Sequence, residues 1–202
     1  NQDVFSINKL EAGAIAIVTT DDIYKTIDNG ATWESIKGNL TATHNVSNPY
    51  WSKNSKLYLS PTNEYYFYNS FFLFKSTDNG VTWVEMNQRA SNEGMNGYFS
   101  INDIKWYNSK MLIASENSGV LESVDDGATL STFEGNKGFY QTANRSNLVL
   151  DGAVKLFIDN QGGNKIIRTT DDGQIFSTVE NEFYFQGIKK SVNGDLIGYG
   201  DR

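Results

Sequence analysis

The residues best equipped for chemistry in this 202-residue chain are its carboxylates, and four of them recur on a steady rhythm. Asp28, Asp78, Asp125 and Asp171 stand 50, 47 and 46 residues apart, each followed directly by Asn-Gly or Asp-Gly. Paired acids can flank a glycosidic bond as acid and base, and clustered acids can hold a hard cation. Both uses need convergence, whereas this spacing deals the aspartates out one to each structural unit. Other chemistries are thinly supplied. There is no cysteine, hence no disulfide framework and no thiolate metal site, and the single histidine, His44, lies in a polar run at 41–48. The adjacent pairs Asp125-Asp126 and Asp171-Asp172 offer two acids to a cation, but their second members stand where Asn29 and Asn79 stand. Turn geometry already accounts for them, and neither a metal nor a cofactor is expected.

The elements that must position these acids follow from the surrounding residues. The segments Ile23-Tyr24-Lys25-Thr26-Ile27-Asp28-Asn29-Gly30-Ala31-Thr32-Trp33 and Leu73-Phe74-Lys75-Ser76-Thr77-Asp78-Asn79-Gly80-Val81-Thr82-Trp83 align with one another. So do 120–130 and 166–176, with Asp125, Gly127 and Leu130 in the one and Asp171, Gly173 and Phe176 in the other. Each reads as a short strand, a tight turn and a second strand. Asn-Gly or Asp-Gly marks the turn because both residues tolerate positive φ. The Ser or Thr hydroxyl and the Asp carboxylate can satisfy amides of that turn, and the aromatic three residues past the glycine can cover the hairpin base. An apolar strand is expected upstream of each hairpin, at 14–19, 56–60, 110–114 and 153–158. Before it comes another strand opening on an aromatic pair: Tyr50-Trp51, Tyr98-Phe99, Phe139-Tyr140 and Phe183-Tyr184, with Val4-Phe5 a weaker first instance. Tyr65, Tyr66 and Tyr68 are placed in the longest inner hairpin loop.

A four-strand unit repeated about every 45 residues has the size of a propeller blade. A β-sandwich has no reason to repeat a whole four-strand unit. The pattern Ser/Thr-x-Asp-Asn/Asp-Gly-x-x-Trp/Phe resembles the Asp-box, or bacterial neuraminidase repeat, of sialidase-like β-propellers. The resemblance is carried by Asp28, Gly30, Trp33, Asp78, Gly80, Trp83, Asp125, Gly127, Asp171, Gly173 and Phe176, and it departs at Leu130 and Ile175. It implies an all-β propeller of four-stranded blades, with the boxes in a structural role. One propeller domain over 1–202 is expected, with blades at 1–40, 41–90, 91–135 and 136–181 and a partial blade at 182–202. That amounts to about four and a half blades of an incomplete ring, in a chain that belongs to a longer protein or a complex.

Proteins similar in carrying this repeat include sialidases, xyloglucan-cleaving enzymes, receptors and photosystem assembly factors, so it bears on fold more than on activity. Sialidase chemistry needs an arginine triad to clamp a carboxylate. Only Arg89, Arg145, Arg168 and Arg202 are present; Arg168 takes the repeat position of Lys25 and Lys75, and the Arg-Ile-Pro signature of sialidases is missing. A two-carboxylate glycosidase would draw on Glu64, Glu93, Asp103 and Glu134, all placed in or near loops. A net charge of −7 without a Lys/Arg cluster argues against nucleic acid and anionic membranes, and no apolar run is long enough for membrane insertion. The expected function is a non-catalytic binding or scaffolding module of a bacterial exported, cell-surface or virion protein, with a glycan or a protein as ligand. The alternative is a glycoside hydrolase with part of its site in other blades. Candidate ligand contacts are Tyr50, Trp51, Tyr98, Phe99, Tyr140 and Arg145, beside the loops that enter the blades.

Overall fold

A computed structural model of the chain describes residues 3–10, 13–40, 55–68, 72–86, 101–115, 119–133, 145–159, 165–171, 173–179 and 184–201. The strands among them form four four-stranded antiparallel sheets and one two-stranded sheet. The fold is that of a β-propeller, each sheet a blade with its strands in chain order. Blade 1 holds β1 (Val4–Lys9), β2 (Ile15–Thr19), β3 (Ile23–Thr26) and β4 (Glu34–Ser35). Blade 2 holds β5 (Lys56–Leu59), β6 (Tyr65–Tyr68), β7 (Leu73–Ser76) and β8 (Val84–Glu85). Blade 3 holds β9 (Ile101–Tyr107), β10 (Lys110–Ser115), β11 (Val120–Ser123) and β12 (Ser131–Thr132). Blade 4 holds β13 (Arg145–Asp151), β14 (Val154–Asp159), β15 (Lys165–Thr169) and β16 (Ser177–Val179), and β17 (Tyr184–Lys190) pairs with β18 (Leu196–Asp201) alone. The chain divides into two compact units, Asn1–Gln88 and Arg89–Arg202.

In the first unit, blades 1 and 2 share one core. Period-two alternation sends Ala16, Val18 and Ile23 to the face of blade 1 that meets blade 2, and all three are fully buried. Blade 2 answers with Leu57, Tyr65, Phe67, Phe74 and Trp83, so small side chains on one sheet meet large rings on the other. Phe67 packs on Phe74 at 6.3 Å and edge-on to Trp83 at 6.2 Å. The second unit repeats the arrangement. Leu112, Ala114 and Val120 of blade 3 pack on Leu148, Phe157 and Ile167 of blade 4, and Val149, Leu156 and Ile158 on the other face of blade 4 meet Ile188 of β17.

Two strand assignments from sequence are corrected in blade 2. Residues 56–60 were expected to be the strand next to the hairpin, but Lys56–Leu59 is the first strand of the blade. The second is Tyr65–Tyr68, the stretch expected to be a loop. Its four aromatic residues pair on both sides, with β5 and β7, and are 0–1% exposed. A strand buried on both faces loses the apolar/polar alternation that identifies half-buried strands. Tyr65, Tyr66 and Tyr68 are therefore core, not a surface for stacking ligands.

The first strands of four blades share an irregularity. Register shifts in the pairing of β1, β9, β13 and β17 leave Phe5, Asn102, Asn147 and Gln186 as extra residues. Each bulge lies near the start of its strand, where it increases local twist as the chain enters the blade. At the other edge, β4, β8 and β12 are two residues long and exposed, and so short a strand offers little template for edge pairing.

Candidate functional site

The four repeated hairpins join the third and fourth strands of their blades, and their hydrogen bonding is nearly superimposable. Each begins with a buried hydroxyl: Thr26, Ser76, Ser123 or Thr169. That hydroxyl donates to the aspartate Oδ1 at 2.8 Å in all four. It also accepts from the amide of the turn glycine, at 2.9 Å for Gly30, Gly80 and Gly173 and 2.7 Å for Gly127. The same Oδ1 accepts a second bond, from the amide four residues on: Thr32, Thr82, Thr129 or Ile175, at 2.8–2.9 Å. In the first three hairpins the threonine hydroxyl closes on Oδ2 at 2.6–2.7 Å.

Positive φ makes this closure feasible. Gly30, Gly80, Gly127 and Gly173 lie at φ 89–93°, and Asn29, Asn79 and Asp126 before them at 59–61°. Glycine reaches the left-handed region without strain, and Asn or Asp tolerates it better than other residues.

The electrostatics follow from the donors. The Thr32 hydroxyl and amide, then the Thr26 hydroxyl, hold the Asp28 carboxyl at about 2, against an ordinary 3.8. The Thr82 and Thr129 hydroxyls are likewise the leading causes of the lowered values of Asp78 and Asp125. At Asp171 the Ile175 amide comes first, because position 175 has no hydroxyl to offer. A carboxylate pinned in its ionised form has no proton to donate near neutral pH, and its oxygens are turned onto its own hairpin. Among the described residues no group of three or more His, Cys, Asp or Glu is placed to hold a metal ion.

Of the other candidate carboxylates, the two among the described residues, Glu64 and Asp103, are each engaged with different partners. Glu64 is held by Lys75 at 2.9 Å and by the Thr62 hydroxyl at 3.0 Å. Asp103, expected in or near a loop, is instead the third residue of β9 and buried. It accepts from the Ile104 amide at 3.0 Å and the Leu148 amide at 2.9 Å, bracing blade 3 against blade 4. Glu93 and Glu134 lie outside the described residues, as do Tyr50, Trp51, Tyr98, Phe99 and Tyr140. Arg145 opens β13, and its side chain is not described.

The repeat motif does not contain the residues that cover the second and fourth hairpins. Past β4, Ile36 reaches over the second hairpin: a Cβ on Gly80 would lie 2.6 Å from the Ile36 carbonyl, which accepts from the Trp83 indole N–H at 3.0 Å. Asn39 then clamps the Trp83 backbone from both sides, its Oδ1 accepting from the amide at 2.7 Å and its Nδ2 donating to the carbonyl at 3.2 Å. Gly38, at φ 50°, lies against the carbonyls of Gly80 and Val81, where a side chain would clash. Phe133, the residue past β12, stands in the same way over Gly173 and meets the Phe176 ring edge-on at 6.1 Å. A signal existed in the sequence: Ile36-Lys37-Gly38-Asn39 and Phe133-Glu134-Gly135-Asn136 are two copies of apolar–charged–Gly–Asn at the same place in the repeat.

No family model matches the chain, and no curated protein matches it. Solved structures do. An extracellular domain assigned to a hybrid two component system of B. thetaiotaomicron superposes with a TM-score of 0.70 over 97% of this chain and 26% of its own, at 10% identity. A GH74 enzyme of Niastella koreensis gives 0.65 over 97% and 33%, at 17% identity. YCF48 bound to a D1 peptide gives 0.61 over 95% and 59%, at 15% identity. The chain thus spans about a quarter of the length of the extracellular domain it matches, and at these identities the likeness carries the fold: four-stranded propeller blades.

Proposed function

We propose that the chain is a non-catalytic binding or scaffolding section of an Asp-box β-propeller, in a protein that works outside the cell, at its surface or on a virion. The observation that carries this reading is the closure of the four aspartates. Each is spent on its own turn, one per blade, and none is presented to a shared site. The near-identical bonding of the four hairpins also supports their assignment as Asp-boxes. An extracellular setting is supported by the extracellular domain among the similar structures.

The ligand, a glycan or a protein, is taken on the face where chain segments enter the blades. The loops expected at 37–49, 87–97 and 134–138 lead into it, with Tyr50, Trp51, Tyr98, Phe99 and Tyr140 proposed as stacking surfaces and Arg145 as a polar contact. The GH74 enzyme among the similar structures favours a second reading, glycoside hydrolysis with part of the site in other blades.

A glycan array probed with the wild-type chain and Trp51→Ala, matched first for folding, tests the proposal. Binding that is lost in the variant is the expected result for a glycan ligand, and binding unchanged by it moves the site elsewhere. Turnover of a sialoside or of xyloglucan by this chain alone overturns the non-catalytic reading.

A further inference from the structure

We propose that Asn102, Asn147 and Gln186, the bulge residues of three successive first strands, form a subsite that reads the hydroxyl groups of a glycan. The inference rests on the binding reading above and narrows its ligand to a carbohydrate. In β9, β13 and β17 the pairing register slips once, and the residue left over is each time one with a carboxamide side chain. Blade 1 has Phe5 at its bulge, and β5 of blade 2 pairs with β6 without a shift. The carboxamide residues therefore fall together in the second compact unit.

Strand geometry does not account for this choice. Asn is depleted in strands, so its recurrence at one strand position needs a reason. Asn is often selected where φ is positive, but the non-glycine residues that adopt positive φ are others, such as Asn108 and Asp126. Gln has no such preference, yet it takes the same place in β17. What the three residues share is chemistry, since a carboxamide carries both an amide donor and a carbonyl acceptor. Neighbouring sugar hydroxyls offer the complementary set, each able to donate and to accept.

The three positions also share one level of the unit. Asp103, directly after Asn102, accepts from the amide of Leu148, directly after Asn147, at 2.9 Å. On the other face of blade 4, Val149 and Ile188 belong to one apolar cluster, and each stands two residues past its own bulge. All three bulges lie near the start of their strands, the end at which chain segments enter the blades. That is the face on which the ligand is proposed, and a bulge is a means of re-aiming a side chain toward a site.

The Asp103 bond also favours a glycan over a peptide. β9 and β13 are edge strands of their sheets, and a peptide adding to such an edge needs its free backbone groups. At this level the amides of Ile104 and Leu148 already donate to Asp103, at 3.0 and 2.9 Å. Edge pairing is blocked there, and recognition falls to side chains.

The probe is the neutral oligosaccharide that the chain retains most strongly on a glycan array. Titrated into the isotope-labelled chain, it should shift the side-chain amide resonances of Asn102, Asn147 and Gln186 together. Asn147→Leu and Gln186→Ala should each weaken its binding about three- to tenfold. The resonance shifts need no variant, so a substitution that impairs folding leaves the test intact. Binding that leaves those resonances unmoved, yet is lost in Trp51→Ala, overturns this subsite and spares the broader binding reading. Retention of no neutral oligosaccharide overturns it as well, and a peptide that moves the same resonances overturns the choice of a glycan.

Discussion

The hairpins at Asp28 and Asp78 share Asp-Asn-Gly-x-Thr-Trp, and their internal hydrogen bonds agree within 0.1 Å. Yet one tryptophan is 41% exposed and the other 1%. The comparison separates two things that a motif conflates. Local closure is fixed by residues within seven positions of one another, so it is identical wherever the motif occurs. What the motif contributes to stability depends on a segment more than forty residues away, which hairpin 2 has and hairpin 1 lacks among the described residues.

Truncating the two tryptophans should give the largest contrast. Trp83→Ala empties a packed site and leaves the Ile36 carbonyl without its indole donor, and should cost about 3–5 kcal/mol in urea unfolding. Trp33→Ala should cost about 1 kcal/mol or less. Equal losses would show that exposure does not measure the difference.

The glycines sharpen the same point. Gly80→Val combines left-handed strain with a clash against Ile36 and should destabilise by about 1–3 kcal/mol. Gly30→Val carries the strain alone and should lie at the low end of that range, measured in the same experiment.

Asn39→Ala removes both clamps on the Trp83 backbone and should cost about 1–2 kcal/mol. It should also loosen Trp83 in quenching measurements without altering Trp33.

The smallest effect is electrostatic and compares Asp28 with Asp171. The folded-state pKa of Asp28 lies below its unfolded value. Its contribution is therefore complete above about pH 4 and is lost as the pH falls through about 2. Carboxyl titration by NMR should show Ile175→Thr lowering the Asp171 pKa and Thr32→Val raising that of Asp28. Movement in the opposite sense would remove the threonine hydroxyl as the cause.

These contrasts explain how much the sequence reveals. The hairpins are readable because hydroxyl, carboxylate, left-handed pair and glycine all fall within a few residues and follow turn chemistry. Blade 2 is only half readable: Tyr65–Tyr68, buried on both faces, carries no period, and Ser60 to Glu64 before it forms the real turn. Asp103 reads as a spare acid because its partner, the Leu148 amide, is 45 residues away. The proposed ligand contacts are hardest of all. Tyr50, Trp51, Tyr98, Phe99 and Tyr140 belong to aromatic pairs that recur with the repeat, and recurrence does not tell a ring that packs between blades from one that meets a ligand.

The brevity of the outermost strands has a consequence in time as well as in space. β4 offers two residue pairs to β3, at Tyr24–Ser35 and Lys25–Glu34, and both of its residues face solvent. Such a rung can open locally while the inner three strands remain closed. In deuterium exchange its amides should label early, whereas those of Gly30 and Thr32 should label late. Their acceptors, the Thr26 hydroxyl and the Asp28 carboxylate, belong to the end of β3 and to the turn itself. The blade is thus expected to fray from its rim inward and to stop at the turn, which should stay folded after the strand it introduces has come away.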